Sequence, residues 1–508
     1  MGRRMVAGDD PADSLKQNRM PDLPHVTAAN IKPVRETGRS SHGPGLTARG
    51  VTLLLALLGG LLLAPQKASS QAYNTLYWMQ GIPQSSQANP AQFPQPRVYA
   101  GAPLLSSLYA NLSNQGFVAG DVVRRDARDE VYWDEDRLLD RLDKRNMAGL
   151  ELQLEWVSAG LRGDRDFISL GVSDKATAYL AYPEDLARLV LRGSDAFSGP
   201  ADFSGAAWEV IHYRDLSVSY ARKLGGFITL GLRGRVLFGL ANQRLHHYSM
   251  ALVADTARAG HQLLEADWRL WQAANTSGGT SPREPFSFGG AAGSYDARTN
   301  LNNAGAALDA GMVVSAGTRW SIALSVIDLG FIDWQQGGRE LRLDGTVRYQ
   351  GIDGQDFFDD GFVANMEEFI DGLPDHFEEQ RTTVTYRSHL SPKLYGSVAY
   401  APGGRHRLAL LGRGHLFDGH WYPSLTASYN VQASPSLGLT LAYSMANGRQ
   451  GHIGAGIHAN LGPLQLYLVG DNVLGIIIPD QSSWASMHLG LNWVFGYKPL
   501  PERPLHSW

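Results

Sequence analysis

Trp421 to Tyr443, WYPSLTASYNVQASPSLGLTLAY, reads as two strands and a turn. Successive side chains of a strand point to opposite faces, so Trp421, Pro423, Leu425, Ala427, Tyr429 and Val431 share one side while Ser424, Thr426, Ser428 and Asn430 share the other. Beyond the turn at Ala433-Ser434-Pro435, Leu437, Leu439, Leu441 and Tyr443 oppose Gly438, Thr440, Ala442 and Ser444. Each run is about the 9 to 11 residues that a tilted strand needs to cross a bilayer, and its polar face is made of small or hydrogen-bonding groups. Soluble sandwiches alternate too, but in strands of about five or six residues. The stretch therefore predicts an antiparallel transmembrane β-barrel.

The pattern continues outward from there. Ile453, Ala455, Ile457 and Ala459 oppose His452, Gly454, Gly456, His458 and Asn460, and Met487, Leu489, Leu491, Trp493 and Phe495 oppose His488, Gly490 and Asn492. On this reading Gly456 points inward and tolerates serine, whereas Ile457 faces lipid. Upstream, Leu150, Leu152, Leu154 and Trp156 face away from Glu151, Gln153 and Glu155, and Trp320, Ile322, Leu324 and Val326 from Ser321, Ala323 and Ser325. Further candidates lie near 96–112, 165–181, 205–223, 226–240, 244–256, 260–272, 303–316 and 340–349. Counting every candidate gives roughly 18 strands, an upper bound, and an even number is expected of a bacterial barrel.

Composition agrees. The 508 residues include 57 Gly, 12 Trp, 20 Tyr, 17 Phe and no Cys, with 19% charged residues and a net charge of -4. Without cysteine, disulfide scaffolds, thiolate zinc sites, iron-sulfur centres and cysteine hydrolases are excluded. With no basic block, a nucleic-acid partner is not expected. The mean hydropathy of -0.21 is what alternating strands average to.

Val51 to Pro65, VTLLLALLGGLLLAP, is a continuous apolar run preceded by Arg49 and followed by the small-residue stretch Ala68-Ser69-Ser70-Gln71-Ala72. At about 15 residues it is of signal-peptide length and too short to span as a helix. The expected organisation is an N-terminal extension or misassigned start over 1–50, a signal peptide over 51–72, an extended segment over 73–95, the barrel over 96–496 and a tail over 497–508. Without the nine Lys and Arg and five Asp and Glu of residues 1–72, the mature chain holds 36 basic against 44 acidic residues, net -8.

Three inserts lack strand character: 134–145 and 183–192 have helical spacing, and 359–379 opens acidic and continues as a short amphipathic helix. The Gly/Ser/Asn/Pro stretch 274–303 reads as a surface loop. Asp353, Asp356, Asp359 and Asp360 lack the spacing of an EF-hand, so an acidic loop is expected there and neither a metal nor a cofactor is implied.

The last strand carries the most specific motif. His488, Gly490, Trp493 and Phe495 follow the order polar, Gly, aromatic, aromatic of a barrel-assembly signal, with the barrel assembly machinery as the implied partner in biogenesis and the two aromatic residues at an interfacial girdle. Asn89-Pro90-Ala91, Tyr99 to Pro103 (YAGAP), Ser113 to Phe117, Ser325 to Trp334 (SVIDLGFIDW), Gly462 to Asn472 (GPLQLYLVGDN) and Gly490 to Gly496 also resemble a family of outer-membrane proteins of unknown function found mainly in Bacteroidota. That family is similar to FadL- and PorV-type barrels. The resemblance implies about 14 strands (range 12 to 18), amino-terminal residues near or inside the lumen, and a place in the outer membrane among its lipids.

Three functions follow as expectations: a transport or pore barrel for hydrophobic or small solutes, a structural or partner-binding barrel, and, least favoured, a lipid-modifying barrel enzyme. Candidate lumen-facing residues are Glu151, Glu155, Arg405, Arg407, Arg413, His452 and His458. The only dense nucleophile-base cluster is His246-His247-Tyr248-Ser249, which has no Gly-x-Ser-x-Gly elbow and no Asp beside it in sequence, so no catalytic residue is assigned.

Closure of the barrel rests on the final strand, because an open edge cannot stay unpaired in hydrocarbon. Phe495→Asp is expected to abolish outer-membrane recovery and heat-modifiable migration on gels, whereas deletion of Leu500 to Trp508 leaves both intact. The reverse pattern would place the recognised terminus at Trp508.

Overall fold

The computed structural model describes residues 73–496, apart from 115, 119, 121–122, 126–130, 193–196, 198–199, 255–261, 275–301, 350–377, 404, 447–450 and 478–481. The expected leader, the tail, the Asp353–Asp360 cluster, the 359–379 insert as far as residue 377 and nearly all of the 274–303 loop lie outside the described residues, while Glu378 and Glu379 are in a strand rather than a helix.

Fourteen antiparallel strands close into a barrel. In chain order they are β1 (Val98–Gly101 and Leu108–Asn114), β2 (Arg145–Arg162), β3 (Asp166–Pro183), β4 (Ala207–Leu224), β5 (Ile228–Ala254), β6 (Gln262–Ala274 and Ala304–Ala316) and β7 (Trp320–Trp334 and Gly338–Tyr349). The circuit continues with β8 (Glu378–Thr383, Tyr386–His389 and Lys393–Gly403), β9 (His406–Phe417), β10 (His420–Ser434), β11 (Leu437–Ala446), β12 (His452–Leu461), β13 (Leu464–Asn472) and β14 (Trp484–Phe495). Among the described residues outside the barrel strands are three short α-helices, α1 (Glu135–Arg141), α2 (Glu184–Arg192) and α3 (Val473–Ile477), and a small hairpin of Val123–Arg125 with Val131–Trp133. Asp134 caps α1 by accepting from the Arg137 amide at 3.1 Å, and α1 and α2 meet through Leu138, Leu139 and Leu191.

The sequence count of 18 exceeds the circuit because several candidates belong to one strand. The segments 226–240 and 244–256 are a single 27-residue strand, β5. A register shift opposite His212 and Tyr213 leaves Leu240 without a partner on β4 and reverses the inward parity beyond it, which broke the alternation. The lower half of β5 pairs with the second part of β6 and its upper half with the first.

β1 pairs with β14 on one side and β2 on the other. Val98 faces Phe495 and Ala100 faces Trp493, so the proposed terminal motif lies in the closing seam. Residues 102–107 interrupt β1, yet the Ala102 amide reaches the Leu491 carbonyl at 2.9 Å and the Leu491 amide reaches that of Leu105 at 2.8 Å. The ladder therefore crosses the break.

The two faces separate as the alternation requires. Leu161, Val218, Leu232, Leu441, Ile457 and Leu468 are exposed on the outside, while Ser325, Thr426, Ser444, Gln465 and Asn492 are buried inside. Gly456 is inward as read, and because the lumen is occupied a Cβ there would lie 2.5 Å from Met79 Sδ, the flexible end of a side chain that has to shift.

Ile457→Arg is expected to cost roughly 2 to 4 kcal/mol and depress the yield of heat-modifiable barrel. Gly456→Ser should leave the barrel yield unchanged while shifting Met79, the flexible end of a side chain. Equal yields for the two variants would show that the faces are exchanged.

Candidate functional site

Residues 73–96 fill the lumen. The sequence reading had this segment extended, but Leu76–Trp78 and Pro83–Gln87 each wind into a 3-10 turn, and Pro83 fits the second because its missing N–H falls in the first turn. The segment contains no Asp, Glu, Lys, Arg or His. It binds the wall in two ways. On one side Leu76, Tyr77, Trp78, Met79, Ile82 and Ala88 form a dry cluster with wall residues including Ala323, Ile327, Tyr395, Ala399 and Leu411. On the other, Gln84, Ser86 and Gln87 face Ser158, Ser169, Ser173 and Ser217 across a polar cavity of about 40 Å³.

Amides and carbonyls of this plug are matched by wall groups. The Asp471 carboxylate accepts from the Thr75 amide at 2.6 Å, Gln84 and Asn492 exchange side-chain hydrogen bonds at 2.9 and 3.0 Å, and Gln465 donates to the Gly81 carbonyl at 2.9 Å. Arg233 donates to the carbonyls of Ser86 and Gln87 at 3.2 and 2.8 Å, a cation at the C-terminal end of the second turn. Burial pushes the hydroxyl pKa values of Tyr73 and Tyr77 up; the protonated Tyr73 donates to Gln153 at 2.6 Å. At several close contacts of plug and wall the wall residue is glycine: a Cβ on Gly231 would lie 2.3 Å from the Pro90 carbonyl carbon, and one on Gly311 2.0 Å from Asn89 Oδ1.

The wall behind the plug carries a balanced charge network. Arg233 meets Asp309 at 2.5 Å, Arg235 meets Asp215 and Asp328 each at 2.5 Å, Lys175 meets Asp215 at 3.3 Å, and Lys393 bridges Asp328 at 3.2 Å and Glu151 at 3.6 Å. Four cations thus sit among four carboxylates, as buried charges require. The sequence reading found only Glu151 of this set. Arg233 and Arg235 were legible, since they alternate with Leu232, Gly234 and Val236.

The other candidates are distributed differently. Glu155 is buried and accepts from Ser106 at 2.7 Å and Gln87 at 3.0 Å. Arg407 donates to the Gln80 side chain at 3.2 Å and lies over the Trp78 ring, and Arg413 lies over the Tyr395 ring. His458 is buried against Gly81 and Gly438, while His452 is only half-buried beside Asn472. Arg405 is not in the lumen. It occupies the turn before β9, where strand parity no longer applies, and is exposed. In the terminal motif, His488 is buried with Ser107 at 2.7 Å, Gly490 lies against the Ser106 carbonyl, and Trp493 and Phe495 are exposed. His247 does have an acidic neighbour in space, Asp267 at 3.5 Å, but Asp267 also lies within 4 Å of Arg269 and Arg342, and His246 stacks on Trp271.

A second closure lies above the plug. β9 and β10 turn through Asp418-Gly419 with φ of 46° and 72°, the two positive values of a tight hairpin. This tip crosses to strands half-way round the ring: Arg145 of β2 meets Asp418 at 2.7 Å, and Phe417 and Tyr422 pack with Met147, Tyr179, Ala181 and Ala207. The chain 390–392 breaks β8 beside it. There a cavity of about 750 Å³ is lined by Leu308, Leu329 and Phe331, which face outward, and by Glu209, Arg244 and Leu390, which face inward. These sets belong to opposite faces of the sheet, so the cavity is bordered by side chains of both faces at the break in β8.

The profile of the "Family of unknown function (DUF5723)" matches residues 90–471. The chain belongs to this family. No curated protein matches it. Among solved structures it is similar to the Ralstonia pickettii toluene transporter TbuX, with 8% identity, 81% of this chain and 94% of that one covered and a TM-score of 0.39. It is also similar to a Pseudomonas aeruginosa FadL homologue (11% identity, 85% and 100% covered, TM-score 0.39) and to the translocator domain of the autotransporter NalP from Neisseria meningitidis (7%, 88% and 98%, 0.27). At such identities no residue's role carries over.

Gly231→Ala and Gly311→Ala each overpack the plug against a hydrogen-bonded wall, at a cost of about 1 to 3 kcal/mol. Hydrogen exchange over residues 73–96 is expected to rise severalfold in both variants while β11 to β14 keep their protection. Unchanged exchange would mean that the glycines are not what seats the plug.

Proposed function

We propose that this chain is an outer-membrane barrel that passes small hydrophobic solutes through its wall. The supporting observation is the 750 Å³ cavity at the β8 break, apolar at its outer mouth and ending inside at the Glu209–Arg244 pair, 4.0 Å apart. Straight passage along the axis meets two obstacles, the plug and the β9–β10 tip, so a solute dissolved in the surrounding lipid has its route at the side. An apolar molecule entering between Leu308 and Leu329 loses little on leaving hydrocarbon and meets polar groups only at the inner end. The cavity favours this reading over a sealed partner-binding barrel. Export through cleavage after Ala72 belongs to the same proposal. It is supported by Tyr73, which is already buried inside the barrel.

The test uses outer-membrane vesicles and a small apolar fluorescent probe. The wild-type chain is expected to speed probe entry severalfold over vesicles lacking it, and Leu308→Trp with Leu329→Trp should return the rate to that baseline. Because the chain has no cysteine, Arg145→Cys with Asp418→Cys joined by a thiol–thiol cross-linker as long as the pair it replaces fixes the tip, and this lock should leave entry unchanged. Entry that the tryptophans do not alter but the cross-link abolishes would show an axial route instead.

A further inference from the structure

The barrel is uneven in height. β3 and β4 have 18 residues each and β5 has 27, but β12 has 10 and β13 only 9. A strand rising about 3.3 Å per residue and tilted about 40° gains roughly 2.5 Å of height per residue, so nine residues give about 23 Å, slightly less than the ~25 Å of an apolar barrel belt. The short side therefore ends just below the height it needs.

At that rim lies α3, a five-residue helix of Val473, Leu474, Gly475, Ile476 and Ile477. Asn472 fixes its start by accepting from the Gly475 amide at 3.2 Å while donating to the Trp484 carbonyl and to Ser482, each at 2.6 Å. Gly475 lets the helix backbone rest directly on Trp484, whose carbonyl oxygen would lie 2.0 Å from a Cβ. Gly470 has the outward parity of Leu466 and Leu468, and the space of its missing side chain is bordered by Val473 Cγ2 and Ile476 Cδ1, each 3.5 Å from where a Cβ would stand. The helix is thus folded back over the outer face of β13. Leu474, Ile476 and Ile477 remain 46%, 47% and 68% exposed, continuous with Leu468, Ile453 and Met487 on the strands below.

We propose that α3 is a membrane-contacting element whose Leu474, Ile476 and Ile477 enter the acyl chains of the adjacent leaflet and complete the apolar belt where β12 and β13 fall short. The occupant is lipid because, among the described residues, the patch continues the outward strand faces, contains no charge, and meets a shortfall of the right sign and size. This assignment rests on the barrel spanning a membrane.

The cysteine-free chain permits single-site labelling. Ile477→Cys, Leu474→Cys and the mid-belt control Leu441→Cys, each carrying an environment-sensitive fluorophore, are reconstituted in phosphatidylcholine vesicles with or without brominated acyl chains. Labels at 477 and 474 are expected to be quenched at least twofold by the brominated lipid, as at 441, and to resist aqueous iodide. If 441 is quenched by lipid but 477 and 474 are quenched by iodide, the helix lies in water and the proposal falls while the membrane reading stands. If none responds to lipid, the membrane reading itself fails. Labels shielded from both quenchers, with Ile477→Cys cross-linking to a second copy, would overturn the proposal in favour of a protein contact.

Discussion

The pairing of β1 with β14 is the constraint on which the rest depends. A backbone amide or carbonyl left unpaired in an apolar surrounding costs several kcal/mol, so a sheet in such a place has no tolerable edge and must return on itself. Return fixes an inside and an outside for every strand at once. From that division come the exposed leucines and isoleucines of one parity and the serines, amides and charges of the other. It also explains why the interruption of β1 at 102–107 keeps hydrogen bonds to Leu491 on one neighbour and, from Leu104, to Trp156 on the other. The chain leaves strand geometry there without opening the seam.

An inside of this size must then be filled, and the filling is chemically one-sided. Residues 73–96 bring no charge of their own, only Gln, Asn, hydroxyls, backbone groups and apolar side chains, while the network around Arg235 and Lys393 keeps its cations and carboxylates mutually paired. Separating plug from wall would break neutral hydrogen bonds, most worth about 0.5 to 1.5 kcal/mol each, and the bonds that Asp471, Glu155, Arg233 and Arg407 make to plug amides, carbonyls and side chains, while leaving the ion pairs around Arg235 and Lys393 intact. Arg233 takes part in both sets, since it holds Asp309 and two plug carbonyls together. A charged plug of the same length would have tied its seating to the wall network and exposed unpaired buried charges on moving.

Much of the fold was legible because period-two alternation survives wherever a strand is regular. Trp421 to Val431 and Leu437 to Ser444 lie on the faces their parity gave, and the helical spacing near 134–145 and 183–192 became α1 and α2. Legibility failed where one residue is added. The bulges at Leu240 and at Ile327–Asp328 reverse parity, so one long strand looked like two and the inward acid of β7 fell out of the pattern. The lumen contents were harder still. Nothing in a run of Gln, Pro and Ser announces two 3-10 turns, because those turns are held by distant partners such as Asp471 and Asn492. The wall cavity is set by which strands do not pair, and a single sequence carries no such information.

The bulge at Asp328 shows how one added residue joins these parts. Asp328 has a φ of 63°, an unusual value for a residue other than glycine, and it is held by the Asp309 carboxylate, which accepts from its amide at 2.6 Å. The consequence is that Ile327 and Asp328, neighbours in sequence, both face inward. Ile327 joins the dry cluster around Tyr77 and Trp78, and Asp328 joins Arg235 and Lys393. Beyond the bulge the parity is reversed, so Leu329 and Phe331 face outward and line the outer mouth of the cavity. A regular strand could supply the apolar contact with the plug or the carboxylate of the network at this height, but not both. It would also have turned Leu329 inward. The extra residue therefore places the plug's dry side, the charge network and the apolar rim of the cavity next to one another on a single strand.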